Sequence, residues 1–252
     1  MNDSGSPRQQ LRAACHVTNP EQLEWKTRGS WSEALLAGRE TGAVAMSQYR
    51  IRISVSTSPV RSFPASDCVL FVLEGTGWVE IGDRSFDLVA PCGVFVKAGE
   101  NFRLTPTGDA IDLLATVCPL SEEDSWPDEI SDQFDPDYPE RVVAVNEQER
   151  EATGDRFFQR LVDERVGSIQ MTQFIGIIPR SRAPDHFHLY DEVITVLAGE
   201  GLMWADDVST PIGPGSMIQL PRKQTHCLEC HSEDGMYLVG HFYPAGSPAV
   251  RY

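Results

Sequence analysis

The chain has 252 residues, 41% of them apolar and 9% aromatic, and a formal charge of −16. That length allows one large domain or two ordinary ones, and the composition supports a folded core. The acidic balance argues against nucleic acid or an anionic membrane surface as a partner. No apolar run approaches a membrane span. The start, Met1 to Gln10, lacks a basic stretch followed by an apolar one. The expectation is a cytoplasmic protein whose six cysteines are mostly reduced thiols.

Residues 1–29 are polar and irregular. Ser30-Trp-Ser-Glu33 has the form of a capping box, which predicts a short helix through Ala34–Ala37 that stops at Gly38. From Gln48 the pattern changes to strands. Tyr49–Val55 alternates with period two, and Cys68–Leu73, Gly77–Ile81, Gly93–Val96 and Ile111–Val117 follow between Gly, Pro and Asp turns. A stretch from Pro119 to Glu140 holds nine acidic residues, no basic ones, and prolines at 119, 127, 136 and 139. It reads as an exposed connection between domains. Asn146-Glu-Gln-Glu149 suits the cap of a short helix, and Arg156–Val166 fits helix and strand alike. Strands resume at Ile169–Ile178, Glu192–Leu197, Leu202–Ala205, Ser216–Leu220 and Met236–Tyr243.

The two runs of strands repeat one another. Leu73-Glu-Gly75-Thr-Gly77 matches Leu197-Ala-Gly199-Glu-Gly201, and the offset from Gly75 to Gly199 is 124 residues. Without a gap it sets Val94–Val96 against Ile218–Leu220 and Leu104 against Leu228. Duplication of one β unit explains both matches. The division expected is an N-terminal extension with a short helix (1–47), a first barrel without metal ligands (48–118), an acidic linker and connecting segment (119–166), and a second, metal-binding barrel (167–252).

The chemistry is concentrated in His186-Phe-His188-Leu-Tyr-Asp-Glu192. Histidines at i and i+2 share one face of a strand, and a turn at Leu189–Asp191 would return Glu192 to the same point. Two imidazoles and a carboxylate converging inside a β structure read as ligands of a divalent metal. His226, beyond the strand-like Ser216–Leu220, is the fourth candidate. The ungapped offset sets Ser62, Pro64, Cys68 and Phe102 against His186, His188, Glu192 and His226, and none keeps its ligand type. Of six histidines only His16 precedes residue 186.

On these residues the second half resembles the cupin superfamily, whose first motif is G(X)5HXH(X)3,4E(X)6G and whose second is G(X)5PXG(X)2H(X)3N. His186, His188, Glu192 and Gly199 fit the first motif; Gly215, Pro221 and His226 fit the second. Arg180, Lys223 and Cys230 stand where the motifs have glycine, glycine and asparagine. The resemblance implies an all-β bicupin: two jelly-roll barrels related by pseudo-twofold symmetry, with few short helices and one metal in the C-terminal barrel. It implies manganese, iron, nickel, zinc or copper, and the ligand types do not choose among them.

Four protein ligands leave one or two positions open on a metal that accepts five or six, as catalysis requires. The expected function is a metal-dependent enzyme acting on a small-molecule substrate. An O2-using oxidoreductase of dioxygenase type leads, because cupins with three histidines and a glutamate include dioxygenases. Glu192 either completes the shell or acts as the catalytic base. The rivals are a non-redox isomerase, lyase or cyclase, and a non-catalytic cupin that binds a sugar or acid. The chain is expected to be a monomer or homodimer. Cys227-Leu-Glu-Cys230-His231 formally matches a haem-attachment pattern, but there is neither an export signal for haem nor a second cysteine pair for zinc, which leaves a thiol–disulfide role open. His241 is a proton shuttle if it faces the cavity and a rim residue otherwise. Phe174, Phe187, Met203, Trp204 and Met217 are candidates for a pocket wall, with plain core as the alternative.

Overall fold

Alternating apolar residues become paired strands along almost the whole chain. The computed structural model describes residues 8–19, 23–121, 123–250 and 252, and among these there is no α-helix. Helical geometry is confined to single 3-10 turns such as Arg39–Thr41, Glu147–Glu149 and Glu164–Val166. At the second of these, Asn146 accepts a hydrogen bond from the Gln148 N–H, the cap its side chain predicts.

The strands build two barrels, each a long sheet faced by a short one. In the first barrel the long sheet runs Val142–Ala144, Cys92–Val96, Asp67–Glu74, Ala110–Cys118, Ser47–Ser54, Trp31–Ala37, Lys26–Arg28. In the second it runs His16–Thr18, Met217–Leu220, Asp191–Ala198, Met236–Tyr243, Thr172–Ile178, Arg156–Val162, Glu151–Thr153, with Arg8–Gln10 added at the edge. The two orders correspond strand for strand. The short sheets, centred on Thr76–Ile81 with Asn101–Pro106 and on Gly201–Ala205 with His226–Cys230, close the two interiors.

Three apolar clusters follow from the side-chain alternation. One fills the first barrel, around Trp31, Leu70, Ile81 and Phe102. One lines the second, around Phe174, Ile194, Met203 and Phe242. The third lies between the long sheets and joins Phe71, Phe95 and Leu114 of the first barrel to Leu161, Val193, Met217 and Val239 of the second. Large apolar residues on both faces of each long sheet leave no free side, so the two barrels are held as a pair.

The duplicated glycines have the same physical cause. Gly75 and Gly199 have φ of 98° and 85°, and an added Cβ would lie 2.3 Å from the Ala110 carbonyl oxygen and 2.4 Å from that of Gly235. Only glycine fits such positive-φ turns against a neighbouring backbone.

Two expectations need correction. Residues 31–37 form a strand, not a helix, paired along Ser47–Ser54. One helical turn is marginal alone, whereas the sheet supplies a ladder and buries Trp31, Ala34 and Leu36. The domain limits also shift. Lys26–Arg28 and Trp31–Ala37 belong to the first barrel, while His16–Thr18 pairs with Met217–Leu220 of the second. Within the expected linker, Val142–Ala144 pairs with the first barrel and Arg156–Val162 with the second. The acidic stretch is therefore a strap: Trp126 and Phe134 pack on the first barrel, and Ser125 exchanges backbone hydrogen bonds with Ser62. Just beyond it, Arg141 grips Glu100 through two 2.8 Å hydrogen bonds, with both side chains buried.

Candidate metal centre

The site is built where the chain enters the second barrel. His186 forms an isolated bridge with His226, each donating its backbone N–H to the other's carbonyl, at 3.1 and 2.8 Å. Alternation puts His188 on the same face, and a bend at Leu189–Tyr190 leads into Asp191–Ala198. That bend is pinned by Asp191, which accepts hydrogen bonds from the Arg222 backbone and guanidinium.

The imidazoles of His186, His188 and His226 converge, with ring centroids 4.9, 4.5 and 5.1 Å apart. One ligand atom from each lies within 4.8 Å of the others. The tautomers follow from the backbone. Nδ1 of His186 faces the Pro184 carbonyl at 2.9 Å, that of His188 the Val250 carbonyl at 3.0 Å, and that of His226 the Gln224 carbonyl at 2.8 Å. A carbonyl only accepts, so each Nδ1 carries the proton and each Nε2 presents a lone pair. Three second nitrogens held by backbone carbonyls are the outer support that metal-binding histidines use.

Glu192 stands at the side of this trio. Its Oε2 lies 4.0 Å from His188 Nε2, outside the compact three-imidazole group. The side chain is buried, and desolvation pushes its carboxyl up to about 8. A carboxyl with that desolvation burden beside three neutral imidazoles fits a divalent cation, which would offset the cost of ionising it. All four predicted residues line one cavity, with about 600 Å³ of empty space, part of it open to solvent.

The cavity walls are mostly apolar. Of the five candidate wall residues only Phe174 lines the cavity. Met203 is barrel core, Met217 lies between the barrels, Trp204 faces outward to hydrogen-bond Glu229, and Phe187 stacks on Tyr252. Sequence reasoning passed over Tyr190, Phe158 and Arg156. Tyr190 stacks on His188 at 4.5 Å and on Phe242 at 4.3 Å. Strand pairing shows that the offset slips to 125 residues here, because Arg61 opposes Phe102 as His186 opposes His226. The first-barrel counterparts of His186 and His188 are thus Arg61 and Phe63, not Ser62 and Pro64.

His241 does not face the cavity. It is fully buried between the long sheets, 2.8 Å from Gln173 Nε2 and 3.5 Å from Gln48 Nε2, and desolvation holds it down to about 3. Cys227 and Cys230 are buried free thiols three residues apart on one strand, which turns them to opposite faces and removes the basis for pairing them. Burial raises the Cys227 thiol.

A family model described as a cupin domain matches residues 173–241. Among solved structures, the chain is similar to Bacillus subtilis oxalate decarboxylase OxdC, with a TM-score of 0.73 at 12% identity, covering 90% of this chain and 76% of that one. It is similar to the E. coli protein YlbA, with a TM-score of 0.69 at 12% identity over 92% of each chain. A Lactobacillus farciminis oxalate decarboxylase solved as a formate complex gives 0.75 at 10% identity, over 92% of this chain and 87% of that one. No curated protein matches the chain by sequence. At these identities the likeness concerns the fold.

Proposed function

From the cupin-domain match over residues 173–241 we propose that the second barrel is the active site of a metal-dependent enzyme acting on a small organic molecule. His186, His188 and His226 hold the metal through Nε2, and Glu192 completes the shell or moves to act as base. The observation that carries this reading is the convergence of three imidazoles whose Nδ1 protons are each committed to a backbone carbonyl. A bound first-row metal would supply Lewis acidity, and iron, manganese or copper redox chemistry as well.

The protein's own groups do the rest. Tyr190 and Phe242 buttress His188 and fix its ring plane. The mostly apolar wall lowers the local dielectric, which strengthens charge interactions inside. A bound cation would offset the cost of ionising Glu192, and the buried carboxylate, whose basicity desolvation raises, is then suited to take a proton from a substrate hydroxyl. Within the class, an O2-using oxidation of dioxygenase type is the leading assignment, supported by the three-histidine, one-glutamate donor set in a cavity with mostly apolar walls. A non-redox lyase or isomerase is its rival, favoured by the same poised carboxyl.

Elemental analysis of the purified protein tests the centre. Wild type is expected to hold one first-row metal per chain, and His188→Ala to lose most of it while far-UV circular dichroism stays unchanged. Absence of stoichiometric metal from wild type would sink the proposal. Oxygen uptake during a substrate screen, and turnover with redox-inert zinc, separate the two reaction types.

A further inference from the structure

One charged residue in the metal cavity has no part in the chemistry described so far. Arg156 opens the strand Arg156–Val162, whose exposed Phe157 pairs with Ile177, so Arg156 and Phe158 turn inward. Its side chain lines the cavity and is only 11% exposed. The guanidinium touches the Leu228 carbonyl at 3.4 Å and lies 3.8 Å from the carboxylate of exposed Asp155. Among the described residues lining the cavity it is the one permanent cation. Burying a guanidinium in hydrocarbon is costly, and the first barrel avoids that cost by placing Trp31 at the same register. Ser32 opposes Arg52 as Phe157 opposes Ile177, so Trp31 and Arg156 each stand one residue before matching positions, and Trp31 is 1% exposed.

We infer that Arg156 selects the substrate by gripping the carboxylate of a small organic acid whose apolar body lies against Phe158, Phe174 and Leu228. The inference rests on the metal-dependent reading above. A divalent ion facing the single carboxylate of Glu192 would carry net positive charge, and Arg156 sets a guanidinium in the wall of the same cavity, so the cavity favours an anion. The planar fork of arginine matches a carboxylate through two parallel hydrogen bonds. The walls near it are phenyl and aliphatic, which favour a hydrocarbon body over a second polar group. Charge and body together define the class.

Calorimetric titration of the metal-loaded protein with phenylacetate, phenylacetamide and formate tests this, with metal content measured on each sample. Phenylacetate carries both features, its amide lacks the charge, and formate lacks the body. Wild type is expected to prefer phenylacetate over the amide by about tenfold or more, and over formate by a similar factor. Arg156→Met is expected to abolish the acid-over-amide preference at unchanged metal content, and Arg156→Lys to reduce it. No binding of phenylacetate, no preference in wild type, or a full preference kept in either variant overturns the inference. The lysine variant decides the matter if the methionine variant does not fold. Absence of metal from wild type would count against the proposed function instead, and the acid-over-amide ratio of the metal-free protein would still report on Arg156.

Discussion

The two barrels share a backbone and differ in what stands inside. In the first, Trp31, Phe63, Phe102 and Cys68 occupy the places that Arg156, His188, His226 and Glu192 hold in the second. Arg61, the counterpart of His186, is 2% exposed, paired with Asp124 at 2.7 Å and laid over the Trp126 ring at 3.9 Å. The strap residues Asp124 and Trp126 thus cap a guanidinium. In the second barrel the segment near the C-terminus takes that place: Tyr252 exchanges backbone hydrogen bonds with Phe187, and the Val250 carbonyl orients His188. The two interiors differ by about five inward side chains, which teaches that the frame tolerates either set while chemistry depends on which set it carries.

The sharpest way to break this comparison is to exchange its terms. Phe102→Ala leaves a void in a packed interior and is expected to cost about 3–5 kcal/mol in urea unfolding. His226→Ala, at the matching position, is expected to change the stability of metal-free protein by less than about 1.5 kcal/mol, the scale of a side-chain hydrogen bond such as that to the Gln224 carbonyl, while removing bound metal. Equal losses would mean that the second interior is packed as tightly as the first.

A second test addresses the seam between the barrels. Gln48 with Thr116 in the first barrel and Gln173 with His241 in the second form matching buried pairs. His241 is held down to about 3 by desolvation, against an ordinary value near 6.5. Between those values the unfolded chain binds the proton and the folded one does not, so this histidine makes stability rise with pH over that window and fall as the solution is acidified. His241→Gln is expected to flatten the dependence of unfolding free energy on pH between about 6.5 and 4. An unchanged slope would show that other groups govern it.

The smallest expected effect sharpens the comparison at one turn. Gly99 and Lys223 are counterparts, with φ of 85° and 67°. Lys223 bears left-handed strain that Gly99 escapes, and Lys223→Gly is expected to stabilise the protein by about 1 kcal/mol or less, read as a shift in urea midpoint. Destabilisation would mean that the lysine side chain contributes more than its backbone costs.

The Lys223 turn shows how far sequence reading reached. The motif position was visible as a departure from glycine, but only the backbone shows that the departure keeps the left-handed geometry. His186, His188 and Glu192 were legible because local spacing, period two in a strand and one turn, brings them together, and His226 was legible through the second motif, its bridge to His186 being non-local. Ala34–Ala37 was misread because its pairing with Ser47–Ser54 is non-local, and a local capping signal could not compete with it. Arg156 and Tyr190 gave no motif at all.

What the sequence determined by itself was periodic and local: the strands, the duplication, and the copy that carries the histidines and the glutamate. The tertiary structure alone decided which termini and straps join which sheet, that His241 lies in the seam and not the cavity, that Cys227 and Cys230 face apart, and that an arginine shares the cavity of the three imidazoles. Alternation along a strand tells which residues lie together on a face. Which face becomes interior, seam or surface depends on contacts between segments more than a hundred residues apart, such as Thr195 with Gln48 across the seam.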